Sequence, residues 1–415
     1  MADNLNTKPF YNSTIPKEWA VKKLGDCCLI KGEYGINAAA VEFSENLPTY
    51  LRITDIDDDG NFSTLKKASV NGENSDNYIL QKGDIVFART GATVGKTYLF
   101  KETDGKLVFA GFLIRYRPDE NILDVKHLKY FTDSSIYWNW VKTTSMRSGQ
   151  PGINAAEYSS LKIPLPPLPE QRAIAKALSL MDTTINLNNQ LVAQKELRKK
   201  WLMQNLLTGK KRLKGFSGEW KTHRLKNVLV PVSRPVDKPL EAFLALGIRS
   251  HGKGTFLKPD FEPEKIAMET LYEVKENDLI VNITFAWEGA IAIVKPEDDG
   301  ALVSHRFPTF NFNSKTGVVD YFRHLILQPR FRYMLDLISP GGAGRNRVLS
   351  QKDFLKLEVK IPKVDEQTAI AKVLQAADKE IALLKAKTDK LREQKKGMMQ
   401  VLLTGKKRLN LNLQD

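Results

Sequence analysis

Cysteine is nearly absent from this chain: Cys27 and Cys28 sit side by side and are the only two in 415 residues. Adjacent cysteines give neither a disulfide framework nor a zinc site, both of which need thiols spaced along the chain. Histidine is scarce as well, and the five present (127, 223, 251, 305 and 324) show no metal-ligand spacing. No run of eighteen apolar residues occurs, which excludes a spanning helix. The opening MADNLNTKPFYN has no apolar segment of a signal peptide. The expectation is a reduced, cytoplasmic protein with no membrane association and no resident metal. Catalytic signatures are missing too: no carboxylate cluster with a lysine to hold magnesium, and no nucleophile elbow. GATVGKT (91–97) is like a phosphate-binding loop, but its glycines stand one residue too close and a strand pattern follows it. The triplet Asp57-Asp58-Asp59 lacks the glycine and terminal glutamate of a calcium loop.

What is abundant is positive charge, net +15, and it is unevenly placed. Residues 161–214 hold eleven basic against three acidic side chains, and residues 361–415 hold twelve against seven. The stretches 1–160 and 215–360 are close to balanced. Charge of this kind suits a nucleic-acid stripe, a solvated helix face or an acidic protein partner, and composition alone does not choose among them.

The two basic stretches are copies of one another. Glu170-Gln171 through Leu213 and Glu366-Gln367 through Leu409 align without a gap at an offset of 196, with 22 of 44 positions identical. Identity concentrates at the ends, in EQ-x-AIAK and LLTGKKRL. Each copy reads as one long helix. Ile370, Leu374, Ala377, Ile381, Leu384, Thr388, Leu391, Lys395, Met398 and Leu402 step by fours and threes, a heptad seam with polar members. The first copy keeps the spacing from Ile174 to Leu206 with a more polar middle. Pro169 and Asp365 suit helix starts; Gly209 and Gly405, each followed by Lys-Lys-Arg, suit helix ends. About 37 residues at 1.5 Å each make a rod of roughly 55 Å, some sixteen base pairs long. If the copies pair antiparallel, setting Ile174 against Leu402 aligns Leu178 with Met398, Ile185 with Leu391, Val192 with Leu384 and Leu206 with Ile370. Asn188 then meets Thr388, and Lys195, Lys199 and Lys395 face apolar partners along which their stems must lie.

The remaining chain also repeats in outline. IPKEWAVKKLGD near the N-terminus has a counterpart in FSGEWKTHRLKN (216–227). GDIVFARTGATVGKTYLF (83–100) reads as strand, glycine-rich loop, strand, and its counterpart is NDLIVNITFAWEGAIAIV (277–294), with Asp84, Thr90 and Gly95 matching Asp278, Thr284 and Gly289. Residues 124–142 have a helical pattern whose aromatic set, Tyr130, Phe131, Trp138 and Trp140, reads as core. TTSMRSGQPGIN (143–154) and SPGGAGRNRV (339–348) are glycine- and arginine-bearing loops that each precede a short strand and then a long helix. Glycine lets a backbone approach a ligand closely and arginine offers a bidentate contact, although an ordinary surface loop has the same composition. A catalytic adenine methyltransferase needs an Asn/Asp-Pro-Pro-aromatic loop and a glycine-rich cofactor loop; neither is present, so the chain reads as a binder. The helices are alike and the globular parts are not, so one element has a common job and the other has two different jobs.

This arrangement resembles the specificity subunit of type I restriction-modification enzymes, most specifically in the two EQ-x-AIAK starts and the two LLTGKKRL ends. The resemblance implies a mixed α/β (α+β) fold, in which two similar target-recognition domains (1–163 and 215–361) are separated by two long antiparallel helices (164–214 and 362–415) forming a coiled coil with a pseudo-two-fold repeat. It implies double-stranded DNA with a bipartite target as ligand, two adenine-N6 methyltransferase subunits docked on the helices, and restriction-translocase subunits through them. No cofactor is expected on this chain; S-adenosylmethionine, ATP and Mg would be bound by partner subunits. The expected DNA contacts are Arg89, Thr90, Lys96, Arg147, Ser148 and Gln150 in the first domain, and Asn282, Thr284, Trp287, Arg345, Asn346 and Arg347 in the second. The alternative is a coiled-coil scaffold whose duplicated domains bind proteins rather than DNA.

Overall fold

The structure is a computed structural model that describes residues 6–146, 149–339, 341 and 347–409. It divides into two compact units, one of residues 1–188 with 387–415 and the other of residues 189–386. The unit boundaries fall inside the long helices, so each unit holds one globular part and a half of each helix.

In the first unit, a four-stranded antiparallel sheet has the order Cys28–Tyr34, Leu113–Pro118, Ile85–Ala88, Thr97–Leu99. A second sheet has the order Leu107–Phe109, Thr49–Leu51, Ala68–Val70, Ala40–Glu42. Side chains of a strand alternate between its faces, and Ile85–Ala88 uses both. Ile85 and Phe87 join a core with Tyr116 and Tyr158, while Val86 and Ala88 join a separate one with Tyr98 and Phe109. The 124–142 pattern forms two helices, Val125–Thr132 and Ser135–Thr144, each capped by a side chain, Asp124 or Ser134. Phe131 is fully buried as the pattern suggests, but Trp138 is 41% exposed and is not a core residue.

The second unit repeats the plan with other residues. Its four-stranded sheet has the order Leu229–Val232, Thr309–Phe312, Leu279–Val281, Ile291–Ile293, beside a five-stranded sheet that includes Phe243–Ile248 and Thr255–Phe261. Leu279 and Val281 face one core and Ile280 the other. Asp84 and Asp278, matched in sequence, are both buried, and each is held by an arginine drawn from a different strand region. Arg117 Nε lies 2.7 Å from Asp84, and Arg234 Nη1 lies 2.6 Å from Asp278.

The long helices are Leu168–Leu206 and Val364–Leu402, thirty-nine residues each, and both begin two residues before their Glu-Gln pair. In the first unit Ile174 and Leu178 share a core with Leu402 and Leu403; in the second, Leu206 shares one with Ile370 and Leu374. Asn188 Nδ2 donates to Thr388 Oγ1 at 2.6 Å, and both residues are buried. The antiparallel pairing therefore has the register the seam predicts. The three seam lysines behave differently from the expectation. Lys395 pairs with Asp182 at 2.6 Å in the first unit, and Lys195 and Lys199 pair with Glu380 and Asp378 in the second. A half-buried ammonium is less costly next to a carboxylate than along hydrocarbon, and acids beside the seam supply one.

The repeated ends of the helices meet each other. Buried Glu170 accepts a bidentate contact from Arg408, with Nη2 at 2.6 Å, and buried Glu366 accepts the same from Arg212, at 2.5 and 2.6 Å. Each arginine also lies over a buried indole at 5.7 Å, Arg408 over Trp19 and Arg212 over Trp220. Gln171 donates to the Pro166 and Ile122 carbonyls and accepts from the Asp124 amide. Gln367 repeats this with Pro362, Thr316 and Val318. The glycines that stop the helices, Gly209 and Gly405, have φ of 72° and 67°. The amides of Lys211 and Lys407 close back on the carbonyls six residues earlier, at 3.1 Å in both copies. A β-carbon on Gly405 would come within 2.4 Å of Pro16. The start of one helix, the end of the other and the Glu-Trp strand entry thus form one clamp per unit.

Candidate nucleic-acid interface

In the first unit the strand-loop-strand segment and the SGQPGIN loop are stitched together. Gly91 N donates to Pro151 O at 3.0 Å, Ile153 N donates to Arg89 O at 2.9 Å, and Thr90 bridges Gly152. The structure thereby brings Arg89, Thr90 and Gln150 to one place, with Gln150 exposed next to Gly91. The Arg89 guanidinium lies 4.8 Å over the Tyr34 ring, and its Nε is buried without a hydrogen-bond partner. Lys96 belongs to a different neighbourhood, paired with Asp58 at 2.6 Å; Lys96 pulls that fully exposed carboxyl below its usual range. Arg147 and Ser148 lie outside the described residues.

Two residues that the sequence does not single out position this loop. The Tyr137 hydroxyl donates to Gly95 O at 2.7 Å, and the Tyr158 hydroxyl donates to Ala88 O at 2.8 Å. Burial raises both phenols well above their ordinary value, so they remain donors at any physiological pH. Phe112, 58% exposed, sits at the turn whose carbonyl accepts from the Arg89 amide. The only sequence signal is the excess of aromatics around Tyr137 before the 143–154 loop; Tyr158, beyond that loop, has none.

The second unit closes the equivalent pair of loops through Leu349 N, which donates to Ile283 O at 2.9 Å. Asn282 accepts from the Thr284 amide, Thr284 accepts from Arg306, and Arg347 lies 4.9 Å over the Trp287 ring. Asn282, Thr284, Trp287 and Arg347 are therefore brought together. Thr284 is buried, however, and Arg347 is already engaged by the Asp336 carboxylate at 2.5 Å and the Ser339 carbonyl at 3.2 Å. Arg345 and Asn346 lie outside the described residues. Among the described residues no group of three or more His, Cys, Asp or Glu is placed to hold a metal ion, and no helix is long and apolar enough to cross a membrane.

The arrangement defines a class of protein: two mixed α/β parts, each presenting a pair of joined loops, built on a repeated helix. The family described as type I restriction modification DNA specificity domain matches residues 16–197 and 248–393, and the chain belongs to it. As a member it is a DNA-recognition subunit rather than a catalytic one. It is 26% identical over 431 residues to the type I restriction enzyme MjaVIII specificity subunit of Methanocaldococcus jannaschii, with 98% of this chain and 97% of that protein covered. A second relative from that organism, the putative type I restriction enzyme MjaX specificity subunit, is 26% identical with 95% of each covered. Among solved structures, the HsdS subunit from Thermoanaerobacter tengcongensis matches with a TM-score of 0.53 at 18% identity, over 94% of this chain and 98% of that one. The type I restriction-modification S subunit from M. genitalium matches with a TM-score of 0.56 at 14% identity, over 95% and 97%. At these identities the two structures show the shared fold.

Proposed function

We propose that each globular domain (residues 1–163 and 215–361) reads one half of a bipartite double-stranded DNA target, while the helices set the spacing. The observation that supports this most directly is the repeated pair of stitched loops: the backbone plan is the same in both units and the side chains on it differ. Two readers of different sequence need that combination. The helices dock two adenine-N6 methyltransferase subunits, and restriction-translocase subunits join through them. Leu187 and Leu383, matched at the 196-residue offset, are 60% and 62% exposed, which suits one apolar contact made twice by identical partners. S-adenosylmethionine, ATP and Mg belong to those partners, and the complex works in the cytoplasm.

The test is DNA binding by the chain assembled with its methyltransferase subunits, measured against salt. Affinity that falls steeply and linearly on a log-log plot is expected. Exchanging residues 1–163 for another member's first domain should change one half of the recognised sequence only. A change in both halves, or in neither, sinks the modular reading.

A further inference from the structure

Beside the joined loops of the second unit lies a cavity of about 390 Å³, within the range of small-ligand sites. Five phenylalanines line it, Phe243, Phe256, Phe261, Phe285 and Phe307, and each is only half-buried. Half-buried aromatic rings gathered around one space are unusual in a core, where they would be covered. Two polar side chains of the 282–289 loop reach the same space. Asn282 uses its Oδ1 on the Thr284 amide, which leaves the Nδ2 hydrogens as donors. Glu288 uses Oε2 to accept from Ser250 at 2.5 Å, which leaves Oε1 as an acceptor. At the rim, Lys258 Nζ stands 5.6 Å from both the Phe256 and the Phe261 ring centres.

Aromatic faces, one amide donor, one carboxylate acceptor and a cation at the mouth match a planar heteroaromatic ring that offers N–H and C=O or ring nitrogen on one edge and carries phosphate behind it. We infer that this cavity is a nucleobase pocket in the second recognition domain, with Asn282 and Glu288 reading the edge of the base and Phe285 stacking on it. With Oε1 free and the second lone pair of Oε2 unused, the Glu288 carboxylate can accept a parallel pair of N–H groups, which makes guanine, with adjacent ring and amino N–H groups, the favoured base. The repeat supports a dedicated role. At the offset of 194 that matches Asp84 with Asp278, the first domain has Ala88, Gly91 and Val94 where the second has Asn282, Phe285 and Glu288. One domain has placed polar and stacking groups on the same backbone positions that the other leaves small or apolar.

A base could reach the pocket from bound DNA, by extrusion from the stack, or as a free nucleotide; the first source rests on the DNA-reading proposal above and the second does not. Two measurements on the chain assembled with its methyltransferase subunits separate them. In the first, duplexes carry 2-aminopurine next to each guanine in turn within the half-target read by the second domain, so that extrusion of that guanine unstacks the probe. One position other than the methylated adenine is expected to brighten several-fold on binding, and Phe285→Ala or Glu288→Gln should abolish that rise. In the second, guanosine, adenosine and cytidine monophosphates are titrated without DNA by calorimetry. Saturable binding of guanosine monophosphate, weakened tenfold or more in Glu288→Gln, supports the pocket with a free nucleotide as its source. If DNA binding itself were absent, the reading proposal would fail while the nucleotide titration still decided the pocket. No brightening at any position together with no nucleotide binding overturns the inference.

Discussion

Both recognition domains stack an arginine on an aromatic ring beside their joined loops, and they use it differently. Arg89 over Tyr34 has no carboxylate partner among the described residues, whereas Arg347 over Trp287 is ion-paired with Asp336 and bonded to the Ser339 carbonyl. The first domain keeps a guanidinium available next to a loop; the second spends its guanidinium on closing the loop. The clamps below the loops show the opposite behaviour, since Glu170, Gln171, Arg408 and Trp19 repeat as Glu366, Gln367, Arg212 and Trp220 with near-identical geometry. Duplication has preserved the parts that hold the helices and released the parts that face outward.

Four changes break or sharpen that contrast. The largest effect is expected at the clamps. Trp19→Ala and Trp220→Ala each remove a buried indole beneath an arginine, and each should cost about 3–5 kcal/mol in thermal or denaturant unfolding. Equal losses support equivalent clamps, and a loss in only one unit breaks the symmetry argument.

The next concerns acid stability, to which buried histidines contribute in both units, His127 in the first and His324 in the second, burial lowering the pKa of each. His127 is fully buried with no well-formed hydrogen bond on either ring nitrogen, and burial pushes its pKa down from about 6.5 to about 4. Below pH 6.5 the unfolded chain takes up a proton that the folded chain does not, so stability is full above that pH and falls as pH drops toward 4. The loss is on the order of 3 kcal/mol. At the 194-residue offset the second unit has Tyr321 in its place. His127→Tyr should therefore shrink this acid limb in a pH series of unfolding midpoints; an unchanged limb shows that another group causes it.

The third addresses the two arginines. Arg89→Ala should relax one position of the recognised sequence at a cost of about 1–3 kcal/mol in binding. Arg347→Ala should instead weaken the second half-target without changing which bases are preferred there. Binding-site selection with each variant distinguishes these outcomes, and interchangeable effects would erase the contrast.

The smallest effect is expected where the helices cross polar to polar. Replacing both Asn188 and Thr388 by leucine should leave stability within about 1 kcal/mol or raise it, while loosening register. Engineered cysteine pairs one heptad out of register, forming disulfides in the variant only, would report the loosening.

Much of the helical part was legible in the chain. Heptad spacing and the repeat together set Asn188 against Thr388. The same antiparallel alignment brings Glu170 close to Arg408 and Glu366 close to Arg212, so the repeated Glu-Gln starts and Lys-Lys-Arg ends already carried the clamp, in letters that read merely as helix caps. The lysine pairs were less visible because Asp182, Asp378 and Glu380 stand off the seam, and a seam drawn only from heptad positions omits them. In the loops, sequence indicated that residues 89–96 and 143–154 are loops but not that Gly91 and Pro151 join them, since that contact is made by backbone atoms shared by every residue type. The exposure of Trp138 and the pairing of Lys96 with the exposed Asp58 likewise depend on neighbours distant in the chain.

The clamp that Arg408 closes on Glu170 has a consequence in time. The second unit is one unbroken stretch of chain, complete once residue 386 has left the ribosome, whereas the first unit lacks its clamp until residues 387–409 have been made. The recognition domain synthesised first is thus the one finished last. Nascent chains halted after residue 386 should show a protease-resistant second unit and a first unit still open to digestion, with resistance appearing once Arg408 emerges.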